Sequence, residues 1–361
     1  MAGKSNIVDV FKFLFEAVYP APGADGVANA MAVRGGMPEV VWKGSDHNLV
    51  TFELEGARGL DSDVTYVYRL EILSGQGGYT YIQQESLKMR RQGREVDLIT
   101  QDGSQRSLKN MNGTQVTSVM SSGKSALERA PTNWDGFQVV NSLASWRFYQ
   151  LVPAIMKQPN QVGTGRVLQR HGENLSAWLM GIQTRYPDNF DRINSVMRDV
   201  FPSIRNVITW PTENGLVHVA SYEEGLQRPV NVWAMSDGEL VFLALLSLIY
   251  SPLEVGSDLF CIEEPENHLH PRLLSTLVEL TRQVRQELQD RRVGLSQMIV
   301  TTQSPYLVDE MTLDEIIWVE RKRGETHAVR PANKKDLRAR IDNEELGLGD
   351  VVYTGLLSDK E

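Results

Sequence analysis

Glu263 and Glu264 hold the clearest chemical potential in this chain. A short apolar run, Leu259 to Ile262, ends abruptly in them and is followed by Pro265. A run of that length reads as a buried strand, and the proline stops it, so both carboxylates arrive at its C-terminal edge. Open α/β sheets bind ligands at that edge. A second apolar run, Gln297 to Val300, ends in Thr301-Thr302-Gln303-Ser304-Pro305 and carries polar groups to a second tip. Between them, Leu273, Leu274, Leu277, Leu280 and Val284 keep helical spacing over Pro271 to Leu288, which predicts a strand, helix, strand unit. Paired carboxylates so placed suit a magnesium-nucleotide site, where one holds the metal's water shell and the next orients an attacking water. They would also suit the first turn of a helix, but the apolar strand behind them favours the site.

Upstream, Ser236-Asp237-Gly238-Glu239 opens an apolar helix, Leu240 to Tyr250, with Ser236 as cap and Glu239 in its first turn. At the chain's start, Gly3-Lys4-Ser5 precedes a helix with apolar residues at Ile7, Val10, Phe11, Leu14 and Phe15. A glycine, lysine and serine at a helix N-terminus suit phosphate, with Lys4 on the β/γ-phosphates and Ser5 on magnesium. The same tripeptide at Gly123-Lys124-Ser125 follows no convincing strand and reads as a loop with a solvated Lys124. His268 and His270 alternate before a proline and read as turn residues.

Taken in order, these motifs resemble the C-terminal half of an ABC-type ATPase head of the RecF, SMC and OLD-like kind, among the predicted AAA-family ATPases. Ser236 to Glu239 resembles the signature, Glu263-Glu264 the Walker B pair, Asn267 to His270 the D-loop, and Gln303 stands where a switch histidine is usual. Asp237 replaces a signature glycine and Glu263 the usual magnesium aspartate. Gly3-Lys4-Ser5 resembles the last three motif residues of a Walker A loop, which implies an N-terminal truncation within it and poor nucleotide binding as given. The family's Q-loop is expected near Arg34 to Lys43, where no glutamine occurs. His171-Gly172-Glu173-Asn174-Leu175 also resembles a segment of these proteins, with Asn174 as a helix cap.

The resemblance implies an α/β P-loop NTPase fold with an ABC-ATPase-like mixed sheet, an antiparallel β lobe and an inserted helical lid. It implies ATP and Mg2+ as cofactors, bound through Gly3, Lys4, Ser5, Ser236, Gly238 and Glu239, with Ser5 and Glu263 holding the metal. Glu264 then polarises the water and Gln303 hydrogen-bonds a phosphate or water. It further implies an ATP-dependent head-to-tail homodimer that switches binding to DNA or to a protein such as a nuclease subunit, in repair, chromosome maintenance or phage defence. Two rivals remain: a degenerate scaffold that does not hydrolyse ATP, and the ATPase subunit of an OLD-type nuclease system.

Four segments are expected: a P-loop remnant and its helix at 1–33, the β lobe at 34–120, the helical insertion at 121–205 and the ATPase core at 206–361. Strands are predicted at Glu39 to Trp42, Asn48 to Leu54, Tyr66 to Ile72, Tyr79 to Gln84 and Val96 to Thr100, then a polar connection from Ser104 to Thr132. Helical spacing covers Trp134 to Tyr149 and Leu175 to Val200, and strands follow at Val207 to Trp210, Leu216 to Ser221 and Glu315 to Glu320. A short helix is expected at Asp336 to Asp342. At 361 residues, 41% hydrophobic and 23% charged, the composition is that of a globular protein with an ample core. A net charge of -9 disfavours a nucleic-acid binder that works through bulk positive charge. No apolar stretch reaches membrane-spanning length and no signal-peptide pattern opens the chain. The lone cysteine, Cys261, points to a reducing compartment, so the expected location is the cytoplasm.

Overall fold

Period-two alternation of apolar residues builds the first of two units into which the chain divides in this computed structural model. That unit comprises Met1–Trp146, Arg292–Leu295 and Arg321–Thr326; the second comprises Arg147–Arg291, Ser296–Glu320 and His327–Glu361. The structure describes residues 3–20, 22–57, 64–75, 78–102, 105–119, 123–252, 255–290, 296–331, 338, 341 and 347–354.

In the first unit, helices α1 (Lys4–Val18), α2 (Gly26–Ala32) and the short α3 (Met37–Val40) precede a six-stranded antiparallel sheet. Its strands, β1 (Leu49–Ala57), β2 (Val64–Ser74), β3 (Thr80–Arg91), β4 (Arg94–Asp102), β5 (Gln105–Lys109) and β6 (Gln115–Val119), pair in chain order, and α4 (Phe137–Ser145) follows. Leu70, Ile72, Leu87, Met89 and Leu108 point inward at alternate positions, as a sheet with one covered face requires. Phe13 of α1 stacks on Phe52 of β1 at 4.5 Å. The antiparallel lobe is thus present, with two corrections. Glu39 to Trp42 is not a strand: Gly35 and Gly36 take φ of +86° and +79°, and Pro38 sits in the first turn of α3, where its missing N–H costs nothing. The stretch from Ser104 is not a plain connection either, because it contributes β5 and β6. Lys124 is not a free solvated side chain; its Nζ lies 2.6 Å from Asp25 Oδ1.

The second unit is built around a parallel sheet of order β13, β12, β7, from β7 (Arg147–Tyr149), β12 (Leu259–Glu263) and β13 (Gln297–Thr301). Between β7 and β12 the chain forms α5 (Pro153–Met156), β8 (Asn160–Gln161), α6 (Leu175–Arg185), α7 (Pro187–Val200), β9 (Ile204–Pro211), β10 (Leu216–Glu223), β11 (Val230–Asn231) and α8 (Asp237–Ile249). Helix α9 (Pro271–Asp290) joins β12 to β13, which completes the expected strand, helix, strand unit, and α10 (Pro305–Asp309) follows. In a second sheet β10 pairs antiparallel with β8, β9 and β11. Leu240 to Leu246 of α8 is buried on every side, so this helix is apolar all round rather than striped. Trp178 of α6 donates its indole N–H to Ser247 of α8 at 2.9 Å. Trp134 to Tyr149 is not one helix: α4 ends at Ser145, and Arg147 to Tyr149 extend to pair with β12. The strand expected from Glu315 starts at Trp318, because Thr312 and Glu315 cap a 3-10 turn in front of it. Asp336 to Asp342 lies outside the described residues apart from Arg338 and Ile341.

The fold class is therefore α/β, with an antiparallel sheet in the first unit and a parallel sheet in the second. Among the described residues no helix is long and apolar enough to cross a membrane.

Candidate functional site

Strand β12 is buried from Leu259 to Ile262 and flanked on both sides by parallel partners, so it projects its C-terminal end at a fixed depth. Glu263 is its last residue and pairs with Thr301. Glu264 then turns off the sheet with φ of +44°, while its N–H still reaches Thr301 O at 2.8 Å. A left-handed residue other than glycine stores strain that the surrounding contacts must hold. Those contacts are specific. Gln303 Nε2 donates to Glu264 Oε1 at 3.1 Å and Asn267 Nδ2 to Glu264 Oε2 at 3.2 Å. Glu266, in the 3-10 turn Pro265–His268, accepts from Thr302 Oγ1 at 2.7 Å and from Gln303 N at 2.8 Å, clamping the loop after β13 onto the turn after β12. Glu263 Oε1 faces Arg170 Nη2 at 3.3 Å. Leu151, Val241, Ile262, Pro265 and His268 line a small pocket with the two acids.

The predicted residues of the second unit fall into two groups. Glu263, Glu264 and Gln303 meet at the strand tips. Ser236, Gly238 and Glu239 open α8 as a full capping box: Glu239 N donates to Ser236 Oγ at 3.2 Å and Ser236 N to Glu239 Oε2 at 2.9 Å. A Cβ on Gly238 would lie 3.1 Å from His268 O, so the turn after β12 packs closely on this helix start. Asp237, which departs from the signature pattern, is ion-paired with Lys157 at 2.7 Å. Gly3, Lys4 and Ser5 belong to the first unit, at the start of α1. Gly3 has φ of +80°, and a Cβ there would come within 2.5 Å of Thr326 Oγ1, so that position demands glycine.

Three further residues escaped sequence reading. Glu266 is the last acid of Glu-Glu-Pro-Glu, and only the 3-10 turn reveals that it points to the second strand's loop. Gln150 follows β7 directly, beside Arg170; it was hidden because the helical spacing ran through Tyr149. No glutamine lies in the expected Q-loop segment, and Gln150 stands at the tip of β7, which pairs with β12. Arg170 gave no motif signal. Asn174 sits at the start of α6 but does not cap it. Its side chain instead accepts from Gln169 N at 2.8 Å and donates to Val167 O at 2.8 Å, fixing the loop before the helix.

The donor set suits magnesium and a triphosphate. Glu266 Oε2 is buried with no hydrogen-bond partner among the described residues, an acceptor of the kind that is nearly always satisfied. No group of three His, Cys, Asp or Glu forms a protein cage among the described residues. Magnesium keeps waters and phosphate oxygens and needs only one or two carboxylates, the number that Glu263 and Glu264 bring to the strand tip. Cys261 plays no part: it is fully buried in β12, and burial, then the nearby Glu263, pushes its thiol up to about 12. We expect a thiol reagent to leave Cys261 unmodified from neutral pH through the ordinary thiol range and to label it only as the chain unfolds. Labelling of the folded protein that climbs with pH around the ordinary thiol value would contradict this burial.

Residues 171–309, from the loop before α6 to the end of α10, match the family model described as "AAA domain, putative AbiEii toxin, Type IV TA system". No curated protein sequence matches the chain. Among solved structures the chain is similar to an Smc head bound to the C-winged helix domain of ScpA, at 14% identity and TM-score 0.48, covering 91% of this chain and 87% of that one. It is similar to an Smc head domain from Pyrococcus furiosus at 13% identity and TM-score 0.41, covering 94% and 91%. It is also similar to an SMC head domain from Thermotoga maritima at 14% identity and TM-score 0.37, covering 91% and 86%. The part of the chain that matches the AAA-domain family model contains the acids at the tip of β12.

Proposed function

We propose that the chain hydrolyses ATP with magnesium and closes on it as a head-to-tail homodimer, passing that switch to DNA or to a protein partner such as a nuclease subunit. The observation that carries this reading is the pinned carboxylate of Glu264, held by one amide on each oxygen at the end of a buried parallel strand. A carboxylate has about four acceptor positions, and these two contacts fix the plane in which it would hold a water. Glu264 polarises that water, and Gln303 orients Glu264. Glu263 and Ser5 take the metal-holding role, Lys4 the neutralising of β/γ-phosphate charge, and Gly3 the close approach of backbone to phosphate. Bound magnesium would supply charge stabilisation on the transferred phosphoryl group. The start of α8, with Ser236, Gly238 and Glu239, takes the signature role of offering backbone N–H groups to the triphosphate of a second copy. Positioning and electrostatics suffice, with no covalent intermediate.

One observation favours a second reading. Asp237 puts a carboxylate at the helix start where a phosphate oxygen would arrive, which suits a scaffold that dimerises without hydrolysis. Phosphate release from ATP, measured with magnesium on protein purified from its natural source beside its mass in solution, decides. Turnover with a nucleotide-driven doubling of mass is expected. Doubling without turnover selects the scaffold, and neither effect overturns both readings.

A further inference from the structure

Arg170 is delivered to the tip of β12 by a pinned segment of backbone. Gln150 N donates to Arg170 O at 2.9 Å and Val152 N to His171 O at 3.1 Å, so residues 170 and 171 run alongside the chain leaving β7. His171 Nδ1 lies 2.8 Å from Gln150 O, and His171 N donates to Glu173 Oε2 at 2.9 Å. Gly172 follows with φ of +80°, and a Cβ there would stand 2.6 Å from Met156 Cγ. With Asn174 fixing the loop on the upstream side, the arginine backbone has little freedom to drift.

Its guanidinium is less well satisfied than its backbone. Nη2 lies 3.3 Å from Glu263 Oε1 and 3.5 Å from Gln150 Oε1, both long for charge-assisted hydrogen bonds. Nε is buried with no hydrogen-bond partner among the described residues. Arginine offers five N–H donors in a planar fork that matches phosphate oxygens, and a buried donor without an acceptor is costly. The cation therefore stands at the strand tip with donors unspent. Its carboxylate partner is also the one that the ATPase reading gives to the metal.

We propose that Arg170 binds the terminal phosphate of a nucleoside triphosphate, exchanging Glu263 for phosphate oxygens when Glu263 turns to the metal. The proposal rests on the ATPase reading of this site and adds to it a residue that distinguishes ATP from ADP. A purely structural role is the rival: Arg170 would then act only by steering Glu263, and its influence on nucleotide would vanish once metal is removed.

Equilibrium binding of ATP and ADP in excess EDTA separates the two. For Arg170→Met, ADP affinity is expected within about twofold of wild type and ATP affinity about tenfold lower. Arg170→Lys should recover part of the loss, since it restores the charge without the fork. Unfolding temperatures of both variants close to wild type would show that the fold is kept. An ATP to ADP preference unchanged in Arg170→Met overturns the proposal while leaving the ATPase reading intact. A wild-type protein that binds neither nucleotide, with magnesium or without, overturns that reading and this proposal together.

Discussion

Glu264→Gln lowers the rate of ATP hydrolysis by about 100-fold or more while ATP affinity stays near wild type, because a base that acts in the transition state contributes on that scale. The substitution is nearly isosteric, so the buried strand behind it is undisturbed. It removes the negative charge that would draw a proton from water. It also breaks the local symmetry: Gln303 and Asn267 each donate to one carboxylate oxygen, and an amide has only one acceptor atom for two donors. The Michaelis constant should therefore change little while kcat collapses, and any nucleotide-dependent dimer should persist longer. Gln303→Ala removes one of the two clamps and leaves the charge, so its kcat should fall less. Steady-state phosphate release across ATP concentrations reads both constants. Equal rates for wild type and Glu264→Gln would remove Glu264 from the mechanism, whatever the rest of the site does.

The strand-tip acids were legible because their signal is local and physical. Four buried residues with no polar interruption, two carboxylates and a proline leave few ways to fold, and β12 ends at Glu263 as that pattern demands. The capping box was legible for the same reason, since Ser236 and Glu239 satisfy one another without help from afar. Failures occurred where distant partners decide. Strand β5 places Arg106 and Leu108 inward; an arginine at an inward position breaks apolar alternation, so the strand read as a polar link. Strand β7 has only Arg147 to Tyr149, too short for any period, and its extended form comes from pairing with β12. Tertiary pairing overrode helical spacing there. Gln150 was lost with it. Arg170 and Glu266 are ordinary charged residues in sequence, and their placement follows from a backbone pairing with the chain after β7 and from contacts with the distant loop after β13.

The misread arginine leads to the largest expected effect on stability. Glu85→Ala destabilises the first unit by about 3–5 kcal/mol, the range for removing one partner of a buried ion pair. Glu85 and Arg106 are both almost wholly buried and pair directly. The carboxylate serves as a hub: Oε1 accepts from Tyr68 Oη at 2.9 Å and Ser125 Oγ at 2.6 Å, and Ala126 N donates to Oε2 at 2.9 Å. It thereby joins β2, β3 and β5 to the loop at Ser125, which Leu127 N closes onto Ser125 Oγ at 3.0 Å. Burial, and after it the charge of Glu85, holds the Tyr68 hydroxyl well above its ordinary titration range, so Tyr68 is a neutral donor at neutral pH. Alanine removes the carboxylate that these groups share and takes the Glu85 charge from Arg106. Pairing Glu85→Leu with Arg106→Met should recover much of the loss, since no lone charge is then buried. Recovery should be incomplete, because the Ser125 hydroxyl and Ala126 N still lose their acceptor, although Tyr68 Oη keeps Ser125 Oγ at 3.1 Å. With two units in the chain, a single melting temperature would mix their transitions. Hydrogen exchange at the amides of β3, β5 and Ala126 under native conditions reads the first unit alone. Faster exchange there, with β12 and β13 unchanged in Glu85→Ala, is the expected pattern, and exchange within threefold of wild type, roughly 0.7 kcal/mol, would show that the hub does not hold the sheet.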